Sequence, residues 1–460
     1  MPETFREKEP ALENTDFKEP LPESAQREIE RTAELPDEEF VGEVRPVLRG
    51  LLKEIRKAEG ELVRADEVVY HMLPSPDNPE RENPLVVMPS RGCGYEKGSG
   101  GCSMCNFGCE GRETTREDAD TALDIIFDHN RRWFAEHPED NGGVVVNINE
   151  PGSFLSDREL SPEIRDHIYK RIREYQETEA QGRAVVMVTE SRLDQITEEK
   201  LIEMREKLGP DVIIDIGVGI ESTDLVVEEG IFNKGKPDDW QEKMRMMDRH
   251  GVGVTPHLMF GAPFLTEEQA INDAVKSLRD CLEIRNDKGE KFVNTALLMV
   301  MNRRPGTLVD YLARNEEHQM PNVMAVAETM ERLGEELSPE DFRKIMVFGL
   351  VGPKNLVEAG TEYMTCHDES CQCNSVFGIL REWRGTPENL KRLKDARASV
   401  TDACPNETAF QGPYKRQNGL SPENKRQIKE RAASAYYRMS QTILPDKRGM
   451  GVEEVIKSFE

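Results

Sequence analysis

The chain has 460 residues, with 61 Lys and Arg against 88 Asp and Glu, a formal net charge of −27. That length supports a large core in two or three domains. No apolar run approaches the roughly 20 residues that span a bilayer, and no basic-then-apolar leader opens the chain, so a cytoplasmic protein without a membrane partner is expected. The acidity reads as a halophilic, salt-adapted surface. At 1 M salt the screening length is about 3 Å, so such a coat does not exclude nucleic acid.

Residues 1–40 are rich in Glu and Pro and read as an acidic mobile arm. Residues 41–84 read as a helical extension, with Val44, Leu48, Leu51, Leu52 and Ile55 at helical spacing. From residue 85 to 310, short Val- and Ile-rich runs alternate with amphipathic stretches. The expected strands are Leu85–Met88, Val144–Ile148, Ala184–Val188, Val212–Val218, Gly251–Phe260 and Asn294–Val300. Their near-continuous apolarity suits parallel strands buried on both faces. Helix starts stand between them. Thr114–Glu117 and Thr266–Gln269 read as capping boxes, Ser161-Pro162 as a cap with a first-turn proline, and Thr197 as a further start. The fold class is α/β, a parallel sheet or open barrel. Residues 311–460 read as a C-terminal accessory domain, with one more strand expected over Ile345–Val351.

Three thiols, Cys93, Cys102 and Cys105, share one glycine-rich loop directly after the first strand. Clustered cysteines in a reducing compartment point to metal ligation, not to a disulfide framework. Closed sites usually have four protein ligands, so a trio leaves one position open. Cys109 is a nearby fourth thiol. In parallel α/β barrels, ligands bind beyond the carboxyl ends of the strands. The later exits deliver Glu150 to Phe154, Glu190-Ser191-Arg192, Glu221 and Asn302-Arg303-Arg304, with His257 inside the fifth strand. The bland alternatives are helix caps for the polar exits, a core histidine for His257 and a surface lysine for Lys234.

This cysteine trio resembles the cluster loop of radical S-adenosylmethionine (SAM) enzymes, with the first gap widened. Within that superfamily it resembles the radical-SAM subunit of archaeosine synthase and, more distantly, the Elongator catalytic subunit. The resemblance covers residues 85–310 and implies a partial (β/α)6 radical-SAM barrel. It further implies a 4Fe-4S cluster held by Cys93, Cys102 and Cys105. It implies SAM contacts at Met104, Gly152, Ser153, Glu190 and Arg192, and active-site roles for Glu221 and Lys234. The reaction it implies converts a lysine adduct of 7-cyano-7-deazaguanine in tRNA to archaeosine by radical carbon–nitrogen cleavage. A lysine-transferring partner subunit and an electron-donor protein would then serve the enzyme.

A second group, Cys366, Cys371, Cys373 and Cys404, matches the ligand chemistry of zinc or of an auxiliary iron–sulfur cluster. From residue 376 to 450, 15 Lys and Arg face 8 Asp and Glu, a surplus suited to phosphate contacts or to a solvated helical face. Two other functions fit these features. One is a methylthio- or carboxymethyl-type radical-SAM reaction on RNA. The other is a non-catalytic zinc protein that binds RNA.

Overall fold

A computed structural model describes residues 14–59, 67–74, 80–106, 111–318, 320–349, 373–400 and 425–459, together with Leu12 and Asn78. One eight-stranded sheet organises them, with spatial order equal to chain order. Strand β1 (Val69–Pro74) runs antiparallel to β2 (Glu82–Val87). All later pairs are parallel: β3 (Val144–Asn149), β4 (Val185–Glu190), β5 (Val212–Glu221), β6 (Val252–Phe260), β7 (Ala296–Val300) and β8 (Ile345–Phe348). The six expected parallel strands are all present, and β8 confirms the seventh run. The antiparallel β1 falls inside the stretch expected to be helical.

Two helices precede the sheet, α1 (Glu23–Glu34) and α2 (Asp37–Glu59). Part of the expected mobile arm is therefore helix, anchored by buried Ala25 and Ile29. Helix α2 buries Phe40, Val41, Val44, Val47, Leu48, Leu51, Leu52 and Ile55. It lies against a π-helical turn, Val226–Ile231, and against the C-terminal helix Lys425–Ile443, which also packs on α1. Each such large side chain contributes about 1.5–3 kcal/mol by leaving water.

Between the strands come α3 (Gly94–Ser99), α4 (Arg116–Glu136), α5 (Pro162–Thr178), α6 (Glu198–Leu208), α7 (Trp240–Arg249) and α8 (Glu267–Leu282). After β7 come α9 (Leu308–Arg314), α10 (Val323–Glu336) and α11 (Pro339–Arg343). Ser161, Thr197 and Thr266 cap as expected, Thr266 in a full box with Gln269. The box before α4 is displaced by one residue. Thr115 accepts from the Asp118 amide while the Asp118 carboxylate accepts from the Thr115 amide. Arg112 locks that carboxylate and, more than any other neighbour, holds its pKa down to about 2.

The two sheet faces differ in chemistry. Val144, Val146, Ile148, Ile214, Ile216, Val218 and Val254 are almost wholly buried beneath helices. The alternate positions include Asn147, Asn149, Glu190, Asp215, Thr255 and His257. That face sets these polar side chains among Val145, Val186, Val188 and Leu297, and the strand exits open onto it.

Candidate active site

The cysteine loop leaves β2 and is pinned at several points. Cys93 precedes α3, and the Cys105 amide donates to the Cys102 carbonyl at 3.3 Å. The Ser103 amide donates to the Phe232 carbonyl at 2.9 Å, and the Val309 amide to the Ser103 carbonyl at 3.2 Å. Helix α2 grips the loop from outside. Arg56 Nη2 donates to the carbonyls of Cys102 at 2.9 Å and Cys105 at 2.8 Å, and Nη1 lies 3.0 Å from Glu96 Oε1. Gly101 makes room for this guanidinium, because a Cβ there would stand 2.1 Å from Arg56 Nη1.

A second clamp comes from the exits of β3 and β4. Arg192 Nη1 lies 3.3 Å from Cys93 Sγ and 2.9 Å from Glu159 Oε1, and the same Glu159 oxygen accepts from the Gly94 amide at 3.0 Å. Ser153 and Ser191 share a 2.6 Å hydroxyl contact, and the Arg192 amide donates to Ser153 Oγ at 3.1 Å. Gly152, at φ 151°, sits where a Cβ would meet Glu159 at 2.1 Å.

The third group comes from β5. A bulge between Gly219 and Glu221 ends the strand, and Glu221 takes φ 61°, uncommon for a residue with a side chain. Glu221 Oε1 lies 3.1 Å from Lys234 Nζ, both well buried. Burial would lower the lysine pKa, but the Glu221 charge, followed by Cys102 and Cys93, raises it. Burial pushes the Cys102 thiol up to about 12 against the pull of Lys234. Burial also raises Cys93, with Arg192 opposing.

Asn233 joins these parts. Its Oδ1 accepts from Arg45 Nε at 3.1 Å and Arg49 Nε at 3.2 Å, while Nδ2 donates to the carbonyls of Ser99 at 3.0 Å and Gly101 at 2.7 Å. Tyr95 Oη donates to the Asn233 carbonyl at 2.6 Å.

The structure thus gathers Cys93, Cys102, Cys105, Gly152, Arg192, Glu221 and Lys234 at the strand exits. Met104 is buried in the hydrophobic core, and Ser153 is fully buried with its hydroxyl engaged by Ser191 and Arg192. Glu190 opens onto the inner face beside His257. Sequence reading missed Arg56 and Glu159, whose roles depend on contacts between residues more than thirty positions apart. Glu150, named in the sequence only as part of a polar strand exit, is 6% exposed with neither carboxylate oxygen hydrogen-bonded among the described residues. Burial, then Glu159 and Glu190, raises its pKa well above the usual carboxylate range.

No three His, Cys, Asp or Glu side chains among the described residues stand close enough to share one metal ion. A cluster differs from a single ion, since each thiolate takes its own iron. Three thiols on one loop, with Lys234 and Arg192 supplying positive charge beside them, fit such a group.

Over 202 residues the chain is 32% identical to an uncharacterized protein of Methanocaldococcus jannaschii, a match covering 43% of this chain and 52% of that one. Over 250 residues it is 26% identical to archaeosine synthase subunit beta of Methanosarcina acetivorans, covering 54% and 65%. The corresponding subunit of Thermococcus kodakarensis is 23% identical over 247 residues, covering 54% and 70%. The chain is a sequence relative of the archaeosine synthase beta subunits. Its matches span 52% and 65% of the first two relatives' lengths. No family model matches it. Among solved structures it is similar to the archaeal Methanocaldococcus infernus Elp3, with TM-score 0.37, 14% identity and coverage of 48% of this chain and 51% of that one. Methylornithine synthase gives TM-score 0.35, 13% identity and coverage of 81% and 92%.

In this relative of the archaeosine synthase beta subunits, Cys366, Cys371 and Cys404 lie outside the described residues, as does Cys109. Cys373 is buried at the start of the helix Cys373–Arg381. Cys281 is a core residue of α8, its thiol pushed up to about 12 by burial. Much of the C-terminal basic surplus is spent inside the chain. Lys425 and Lys429 pair with Asp37, Arg397 with Glu328 and Glu331, and Lys394 with Glu335. Arg438 donates to the backbone carbonyl of Glu19 at 2.6 Å. These residues tie the C-terminal helix Lys425–Ile443 to the N-terminal segment and the helix Pro387–Ser399 to α10.

Proposed function

We propose that this protein is a radical-SAM enzyme of tRNA modification that converts a lysine adduct of 7-cyano-7-deazaguanine to archaeosine by carbon–nitrogen cleavage. The observation that carries the reading is the convergence of three thiols from one loop on Lys234 and Arg192 at the mouth of a parallel half-barrel. Relatedness to archaeosine synthase beta subunits supports the choice of substrate. Cys93, Cys102 and Cys105 would hold a 4Fe-4S cluster. When reduced, that group supplies the electron that splits the sulfonium–carbon bond of SAM, giving a carbon radical able to remove hydrogen from substrate.

The chain's own residues prepare the mouth for this work. Arg56 and Asn233 fix the backbone of the cysteine loop, so the thiols are presented without large rearrangement. Arg192 and Lys234 set positive charge beside Cys93 and Cys102. Gly152 lets the backbone come close to the amino-acid end of SAM. Glu150 and Glu190 offer carboxylates to its ammonium and ribose hydroxyls. Zinc in the second cysteine group, an electron-donor protein and a lysine-transferring partner subunit belong to the same proposal.

Anaerobic reconstitution tests it. The holoenzyme should be brown, release deoxyadenosine from SAM with dithionite, and yield archaeosine from tRNA bearing the lysine adduct, read by nucleoside mass spectrometry. Colourless protein that carries only zinc and leaves SAM intact would overturn the reading in favour of an RNA-binding module.

A further inference from the structure

Beside Glu190, the inner face of the half-barrel holds hydrogen-bonding groups, Asn147, Asn149, Asp215, Thr255 and His257, that none of the roles above uses. Parallel register puts them on one side. Asn147 is level with Val188, Val188 with Asp215, and Asp215 with Gly253. One step toward the exits, Glu190 is level with Gly217, and Gly217 with Thr255; beyond them Gly219 is level with His257. Residues in register share a face. Glycine at 217 leaves space that side chains from both neighbouring strands fill, for a Cβ there would meet His257 Nε2 at 2.6 Å and Glu190 Cγ at 3.2 Å. Gly253 does the same deeper in, where a Cβ would stand 2.7 Å from Asp215 Oδ2. The patch is continuous with the mouth, because a Cβ at Gly219 would meet Lys234 Nζ at 2.6 Å.

The patch is rich in acceptors and poor in donors. Thr255 Oγ1 donates to Asp215 Oδ1 at 2.6 Å, and Asn149 Nδ2 to Asn147 Oδ1 at 3.0 Å. Asn149 is 7% exposed, and its Oδ1 is buried without a partner among the described residues. No Lys or Arg among the described residues pairs with Glu190 or Asp215; Lys234 pairs with Glu221 and Arg192 with Glu159. Buried acceptors without donors are costly, and carboxylates more so. A ligand that fits must bring hydrogen-bond donors and positive charge. Leu297 and Met346, level with His257 across β7 and β8, extend the same face with apolar surface suited to an alkyl chain.

We infer that Asp215, Glu190 and His257, with Asn149 beside them, form the subsite for the cationic amino group of the substrate's lysine arm, its methylenes lying along Leu297 and Met346. This rests on the function proposed above and adds the residues that select an arm with a free ammonium over one without. Thr255 acts as a positioning residue, holding the Asp215 carboxylate through its hydroxyl.

The test compares two tRNAs, one bearing the lysine adduct and one bearing the same adduct acetylated on its free amino group. Wild-type holoenzyme should show a KM about tenfold lower for the charged adduct, the size of one charge-assisted hydrogen bond. Asp215→Asn and, separately, Glu190→Gln should raise KM for the charged adduct toward that of the acetylated one. Thr255→Val should shift KM in the same direction by less. The variants should keep wild-type iron content, and Asp215→Asn should keep the wild-type KM for SAM. Glu190 lies open on the face, so its variant, assayed at saturating SAM and read as the ratio of the two KM values, stands as a check if Asp215→Asn folds poorly. Equal KM for both tRNAs in wild type, or unchanged discrimination in the variants, overturns the subsite while archaeosine formation still upholds the function. Failure of the wild-type holoenzyme to convert either tRNA strikes the function itself.

Discussion

Lys234 Nζ lies 3.1 Å from Glu221 Oε1, and the two reach each other from a strand exit and from the segment following a π-helical turn. The pair is buried, so removing one partner leaves the other charge uncompensated, at a cost of about 3–5 kcal/mol. Lys234→Met should therefore lower the melting temperature clearly, whereas Lys234→Met with Glu221→Leu should recover most of the loss. Neither variant should retain wild-type deoxyadenosine formation, because the positive charge beside Cys102 is gone. A double variant no more stable than the single one would refute the pairing argument.

Arg56 supports a separate prediction. Its guanidinium bridges the carbonyls of Cys102 and Cys105 from outside the barrel. Arg56→Met keeps the side-chain length and deletes the donors. Two buried carbonyls lose their charged donor, a cost of about 1–3 kcal/mol each. Iron bound after reconstitution should fall, and the rest should be lost to a chelator at least several-fold faster. Arg56→Lys, with no planar fork, should restore only part of the retention. Wild-type iron content and chelator resistance in Arg56→Met would show that the loop does not depend on this contact.

The sequence made the sheet legible because its strands are short, apolar and separated by capped helices. All six expected parallel strands appear, and the caps at Ser161, Thr197 and Thr266 appear where the residues place them. The strand β1 was not legible, since Val69-Tyr70-His71-Met72 has no strict alternation and pairs only at the edge. At the site, the thiols and the polar exits were visible as residue types at strand ends. The clamps on them were not. Glu159 reaches Arg192 across 33 positions and Arg56 reaches Cys102 across 46, and no local pattern encodes such distances. Met104, whose motif position suggests a cofactor contact, has its apolar side chain buried in the core.

His318 gives a pH prediction. It is 5% exposed, its Nε2 has no hydrogen-bond partner among the described residues, and burial lowers its pKa from 6.5 to about 3. The folded state keeps the ring neutral while the unfolded chain protonates it near pH 6.5. Stability from this group is thus fully present above about pH 6.5 and is lost as pH falls toward about 3, by up to ~1.4 kcal/mol per pH unit. His318→Met should flatten the acid side of a plot of melting temperature against pH between 6.5 and 4 while changing little at pH 8. An unchanged acid slope would exclude the buried neutral ring as its source.

Asn233 carries the last prediction. It sits at φ 51°, where residues with a Cβ pay roughly 1–2 kcal/mol unless they are Asn or Asp. Its amide also makes four hydrogen bonds, two received from Arg45 and Arg49 and two given to the carbonyls of Ser99 and Gly101. Substitutions separate the backbone cost from the side-chain bonds. Asn233→Gly removes the bonds but relieves the backbone. Asn233→Ala removes the bonds and keeps the strain. Asn233→Asp keeps the backbone preference and the two arginine contacts, losing only the donors to the cysteine loop. The expected order of melting temperature is Asp, then Gly, then Ala, whereas iron retention should fall in all three because each loses the bonds to Ser99 and Gly101. If Asn233→Asp held iron as well as the wild type, the amide donors would have no part in shaping the loop, and the arginines alone would account for its position.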